Sequence, residues 1–417
     1  MYQVSDASSL LRGLRRLQGR HSSGPQISRT VVLLGLTSLF TDISSEMVVS
    51  VLPLYLVYVG QFSPVAFGFV DGLQRGAAAL VGLASGFVGD RFRRHKEVAS
   101  TGYGLSAIVK LGLATAGTTL SAIGALVLID RVGKGIRTAP RDAMISLSTP
   151  REDLGAAFGV HRALDTTGAM LGPLLAFGIL ALAANAYTSV FLVSFCVAMV
   201  GVGIVVLLVP DPEAKTEAPR LGDAVVVVRV PRFHALLIAA GALSLATASD
   251  AFVLLVLQQK LGLSLGLFPL LFVGMTSVYM LLAAPFGRIA DRVGRARVLL
   301  GGHALLLGVY GALLAPIGGP GLVCRALVLM GAYYAATDGV LAALGSAIVP
   351  DAVRGSGLAW LNTTTSVSKL LSSLAFGALW TLAGTRVAIA VFGAALLVAM
   401  GLATLVFART REDAGHA

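Results

Sequence analysis

The sequence predicts an all-α membrane protein, twelve transmembrane helices in two pseudo-symmetric six-helix bundles, and three observations carry that prediction. Hydrophobic residues make up 56% of the 417-residue chain and charged residues only 13%, with a mean hydropathy of +0.84. Such a chain offers too little polar surface to stay dissolved in water. Twelve runs approach the ~20 apolar residues that a spanning helix needs. One short motif also occurs twice between apolar runs, as GFVGDRFRRHK from Gly86 and as GRIADRVGRAR from Gly287, 201 residues apart.

The spans are expected near Val31 to Tyr58, Pro64 to Gly89, Val98 to Thr118, Ser121 to Asp142, Gly155 to Ala183 and Thr188 to Val209. In the second half they are expected near His234 to Gln259, Leu267 to Ala290, Val298 to Ala315, Leu322 to Ile348, Gly355 to Ala383 and Val387 to Phe407. A β-barrel is excluded because the runs lack the alternation its strands require. The 49 glycines suit helices that pack closely in lipid. Between the halves, Pro210 to Pro231 is rich in Pro, Asp, Glu and Lys and reads as a linker. The organisation is then a basic tail over 1–30, bundles over 31–209 and 233–408, a linker over 210–232 and a tail over 409–417.

Lysine and arginine set the orientation, since cytoplasmic loops hold their excess. Starting inside, that side receives the arginines of the N-tail, Arg91 to Lys96, the linker cations, Arg292 to Arg297 and Arg409, while the opposite face keeps Lys260 and Arg386. Both termini are expected in the cytoplasm. The formal charge of +11 is mostly this topology signal, and its dispersal over loops excludes a nucleic-acid footprint. Cys196 and Cys324 sit in apolar runs and read as small buried hydrophobes, not a disulfide.

An ionisable residue at membrane depth costs several kcal/mol and is by default a functional candidate. Asp42 and Glu46 lie four apart in the first span, on one helical face. Asp71 and Arg75 share that spacing in the second span and read as a structural pair. The fourth span, DRVGKGIRTAPRD, carries a cationic stripe of Lys134, Arg137 and Arg141, which must line water or pair with acids. His161, Arg162 and Asp165 lie in the fifth span. Asp250 ends LSLATASD as Asp42 ends LTSLFTD, so the seventh and first spans are expected to present equivalent acids. Asn362 and Lys369 in the eleventh could supply the second half of a binding site.

The repeated loop resembles the G-x-x-x-D-R-x-G-R-R motif of the major facilitator superfamily, which recurs between the second and third helices of each half. The second copy, with Gly287, Asp291, Arg292 and Gly294, matches nearly every position; the first has Gly86, Asp90 and Arg91 but Arg93 where the glycine belongs. Arg131, Lys134 and Gly135 are similar to that superfamily's R-x-x-Q-G pattern, with Lys134 in the glutamine's place. Gly159, Gly168, Gly172 and Pro173 fall at the spacings of its antiporter motif, whose closing glycines are here Ala176 and Phe177. The pairing of FTDISSEM with DRVGKGIRTAPRD is typical of a bacterial branch of the superfamily described mostly only as transporters.

The resemblance implies a transporter, not an enzyme, that needs no cofactor or bound metal, and whose partners are a small-molecule substrate, protons and the lipid bilayer. Within that resemblance the expectation is a monomer in a bacterial inner membrane that exports a small organic molecule by proton antiport, and the excess of cations at membrane depth argues that this molecule is anionic or zwitterionic. Asp42, Glu46, Arg131 and Asp250 would couple protons, and Lys134, Arg137, Asp165, Asn362 and Lys369 would meet substrate. Gly86, Asp90, Arg91, Gly287, Asp291, Arg292, Gly168, Gly172 and Pro173 would serve the conformational change. The alternatives are a symporter importing an anionic nutrient or metal chelate, and a divalent-metal exporter using Asp42, Glu46, His161 and Asp165, which Arg131, Lys134 and Arg162 would repel.

Overall fold

The structure, a computed structural model, describes residues 27–92, 94–150, 153–210, 230–316, 318–349 and 354–415. The N-tail and most of the linker expected from the sequence lie outside them. In the first half the helices are α1 (Arg29–Val59), α2 (Pro64–Phe92), α3 (His95–Thr115), α4 (Leu120–Leu147), α5 (Leu154–Leu182) and α6 (Tyr187–Leu208). In the second they are α7 (Pro231–Leu261), α8 (Phe268–Val293), α9 (Arg295–Leu314), α10 (Pro320–Ile348), α11 (354–383) and α12 (385–415).

Local chemistry sets the ends. Ser28 caps α1, its hydroxyl accepting from Val31 N at 3.3 Å. Proline opens α2, α7 and α10, where a missing N–H is harmless. Gly294, at φ 110°, turns the chain between α8 and α9, and Gly384, at φ 82°, separates α11 from α12. The equivalent position of the first motif copy, Arg93, lies outside the described residues.

Eight helical stretches among the described residues are long and apolar enough to cross a membrane, one of which, Ser356–Ala408, holds both α11 and α12. The three left out, α2, α3 and α4, are those that carry Asp71 with Arg75, Lys110, and the charges from Asp130 to Asp142. The charged residues of this membrane protein are thus concentrated in one half.

The packing partners repeat with an offset of six. In the first half α1 packs on α5, α2 and α3 on α4, and α3 on α6. In the second, α7 packs on α11, α8 and α9 on α10, and α9 on α12. The halves meet through α2 on α11 and through α5 on α8, contacts that the same offset interchanges. This is the pseudo-two-fold arrangement that a duplicated six-helix unit builds.

The halves are joined at the end of the bundle opposite the two termini. There, one apolar core spans both halves: Phe67 of α2 stacks edge-on to Phe252 of α7 at 4.7 Å, and Phe252 packs on Phe376 of α11 at 4.8 Å. Gly68, Gly72 and Gly76 let α2 lie directly on α11, where a Cβ at Gly76 would stand 2.8 Å from Leu370 Cβ. Tyr58 donates to Gln258 Oε1 at 2.5 Å across the same end. Toward the termini the core divides, with one cluster around Val31, Tyr103 and Met144 and another around Phe233, Val349 and Leu361. Among the described residues the shared core seals one end, and at the other, the split end, each half keeps a core of its own.

Cys196 and Cys324 are free and exposed on the bundle surface, not buried as the sequence suggested. In a membrane protein an apolar run can turn its small residues to lipid as readily as to the core.

Candidate functional site

The polar residues of the first half converge on the junction of α1, α4 and α5. Gly168 and Gly172 are what bring α5 onto the acids of α1. A Cβ at Gly168 would stand 3.2 Å from Asp42 Cβ, and one at Gly172 would stand 2.8 Å from Glu46 Cβ and 2.6 Å from Ile43 O. Both glycines and Pro173 are buried in that contact. One turn before Gly168, the Asp165 carboxyl comes within hydrogen-bonding reach of the Asp42 carboxyl, and its Oδ2 meets Arg162 Nη1 at 3.4 Å. Lys134 of α4 lies within electrostatic reach of Asp42, Glu46 and Asp165 together.

The remaining cations of α4 point into the wall of the half. Arg131 pairs with its neighbour Asp130 (Nε to Oδ2, 3.0 Å), and Asp130 also takes Lys110 Nζ from α3 at 2.5 Å. This buried triad lies within reach of Glu46. Arg137 is buried, donates to Ser106 Oγ at 2.8 Å and lies 5.0 Å over the Tyr103 ring, so of the two α4 cations expected at substrate it is the one turned toward α3. His161 is bonded to Ser38 at 2.9 Å, and Arg141 holds Asp142 at 2.9 Å.

The second half presents its site lower, against the sealed end. α7 is interrupted over 246–249, and in lipid each backbone group freed by such a break needs a partner. Ala248 N donates to Tyr310 Oη at 2.7 Å, Ser372 Oγ donates to Thr247 O at 2.6 Å, and Ser249 caps the resumed helix by accepting from Phe252 N at 3.2 Å. Asp250 therefore sits at a helix N-terminus in the middle of the bundle, and Arg75 of α2 forms an ion pair with it across the halves. Arg75 also holds Asp71 at 3.3 Å, and Asp71 accepts from Ser373 Oγ of α11 at 2.6 Å. Arg75, Lys369, Tyr333 and Tyr334 line a cavity of about 10 Å³, room for about one water. Asn362, two turns along α11 from Lys369, is exposed.

Asp42 and Asp250 thus occupy different settings, one facing an acid of its own half and the other locked to the opposite half. The cross-half partner of Arg75 is the feature that sequence reading missed. Spacing reports neighbours within a helix, so Asp71 hid Asp250; the signal available was the glycine stripe 68, 72, 76, which marks the adjoining face of α2 as a close helix contact.

At the split end, Asp291 accepts from Arg295 Nη2 at 3.1 Å, and Arg295 Nη1 donates to Ala343 O of α10 at 2.9 Å. The second motif copy therefore ties the α8–α9 turn to the end of α10, with Arg292 exposed beside it and Gly287 one turn earlier on α8. Gly86, Asp90 and Arg91 fall in a stretch whose side chains lie outside the described ones.

The sequence profile of the Major Facilitator Superfamily matches residues 34–278 and 235–417. An uncharacterized MFS-type transporter of Methanocaldococcus jannaschii is 29% identical over 411 residues, 94% of this chain and 98% of that protein. Among solved structures, the nucleoside transporter NupG superposes with a TM-score of 0.75 at 16% identity, over 91% of this chain and 99% of NupG. A bacterial homolog of the human lysosomal transporter Spinster, in an inward-facing and unoccupied conformation, gives 0.73 at 14% identity over 92% and 98%. With these likenesses resting on the fold and the family match on the sequence itself, the chain belongs to the Major Facilitator Superfamily: it is a multi-pass membrane protein that moves small molecules by secondary transport and is not an enzyme.

Proposed function

We propose that the protein is a proton-coupled antiporter of a bacterial inner membrane, with both termini in the cytoplasm, exporting a small anionic or zwitterionic organic molecule. The observation that carries this reading is the seating of Gly168 and Gly172 against Asp42 and Glu46. The glycine stripe of the antiporter-like motif is spent on holding α5 against two membrane-depth acids, where a change in their protonation is felt at once by the helix contact. Lys134, standing among three carboxyls, is the cation that a substrate's anionic group would meet.

In this topology the split end opens to the cytoplasm, the side from which an exporter loads. The Arg75–Asp250 pair and the Asp71–Ser373 hydrogen bond would form the opposite gate. Opening that gate separates the halves at Asp250 and leaves the carboxylate facing the outside, where a proton can replace Arg75. Lys369 and Asn362 would face substrate from the second half. Among the described residues no three His, Cys, Asp or Glu side chains are grouped to hold a metal ion, and Lys134 stands among the acids that metal export would use, so organic export is the better-supported reading.

Purified protein in weakly buffered detergent solution, mixed with a panel of anionic, zwitterionic and cationic organic compounds, tests the reading. Antiport predicts that a ligand which binds releases protons to the solution. Proton uptake on binding would instead establish the symport reading.

A further inference from the structure

We propose that the proton-binding site is the Asp42–Asp165 carboxyl pair, a single proton held between one oxygen from α1 and one from α5. The inference rests on the proton-coupled reading and narrows it, because Asp165 reads from sequence as a substrate contact and Asp42 as one of four proton-coupling residues with no partner named.

An ionised carboxylate only accepts hydrogen bonds. Two carboxyls within hydrogen-bonding reach, as Asp42 and Asp165 are, can therefore bond only if one of them carries a proton. The helices give the two groups little room to part: one turn beyond Asp165, α5 lies so close to α1 that a Cβ added at Gly168 would stand 3.2 Å from Asp42 Cβ. Two carboxyls held this close share a proton, since like charges in contact resist joint ionisation.

The surroundings allow the proton to leave. From α4, Lys134 and more weakly Arg137 act on Asp42 through their charge, and Lys134 and Arg141 on Asp165; from α5 itself, His161 and Arg162 flank Asp165. Glu46 is the next acid along α1, with Lys134 and Arg131 near it. α6 meets α1 through Ser194, bonded to Ser44 at 2.9 Å, and through Gly201 against Thr41. α8 brings Tyr279 into the neighbourhood of Arg162. Arg131 is occupied by Asp130 at 2.5 Å, so the group that meets Asp42 directly is a second acid. A proton leaving this pair breaks the bond between α1 and α5, which converts a protonation event into a helix event.

Infrared spectroscopy of the purified full-length protein in H2O and D2O at neutral pH tests the proposal, since a protonated carboxyl has a carbonyl stretch that shifts on deuteration. Wild type is expected to show such a band. Asp42→Asn and Asp165→Asn should each lose one protonated carboxyl from it, and if either fails to fold, Asp42→Ser and Asp165→Ser remove the same groups with a smaller side chain. No band in wild type, no loss in either variant, or loss in one variant only would overturn the shared proton. Transport indifferent to a pH gradient alongside the expected spectra would instead count against proton coupling and leave the pair standing.

Discussion

Glycine spacing, at the scale of single residues, separates what the antiporter-like motif does from what merely resembles it. Gly172 is pressed against the α1 backbone, whereas a Cβ at Gly159 would meet nothing within 4 Å. Gly172→Ala is therefore expected to destabilise the protein by about 1–3 kcal/mol through overpacking, while Gly159→Ala leaves its stability unchanged; thermal unfolding in one detergent compares them. Equal losses in the two variants would show that the motif acts through something other than the α1 contact. Asp42→Asn and Glu46→Gln, made separately, should keep expression and fold yet uncouple transport from the proton gradient in at least one of them. Wild-type gradient-driven transport in both would move the protonation site elsewhere, to Asp250 first.

One helix interruption, in α7, sets the cross-half geometry at the scale of elements. The break in α7 is stabilised by Tyr310, Ser372 and Ser249, and it carries Asp250 to the cross-half pair with Arg75. Removing one partner of a buried ion pair costs about 3–5 kcal/mol, less where water reaches it as here. Arg75→Gln and Asp250→Asn should accordingly shift the population toward opening of the sealed end, read by labelling of single cysteines from the two membrane sides. Unchanged labelling in both would make the pair structural. The α7 break was not legible in the sequence. TASD sits inside an otherwise unbroken apolar run, and apart from Ser249 the residues that satisfy its backbone, Tyr310 and Ser372, come from α9 and α11, distant in sequence. The same limit explains Arg137, whose place on a cationic stripe was readable but whose turn toward Ser106 and Tyr103 depends on how α3 packs.

The duplication, at the scale of the whole molecule, was the most legible feature. Two loop motifs half a chain apart and twelve apolar runs lead to a bundle whose packing partners recur with an offset of six. A strict hydropathy threshold passes over α2 to α4, because the charges at membrane depth in the first half also dilute its apolar runs. At the split end Asp291 pairs locally with Arg295. When that end closes, the loop motifs are brought together, so Asp291→Asn and Asp90→Asn should favour states open toward the termini, increasing cysteine labelling there; no change in either would reduce the motifs to folding devices.

The central claim, transport driven by protons in exchange for an organic molecule, is tested most directly in proteoliposomes. Vesicles carrying the purified protein and a candidate anionic or zwitterionic compound would be given an inward or an outward pH gradient while compound and proton fluxes are recorded together. The account predicts that the compound moves against the proton flux, that reversing the gradient reverses both, and that Asp42→Asn with Glu46→Gln abolishes the dependence. Compound and protons moving in the same direction, or transport that ignores the gradient for every compound carried, would contradict it.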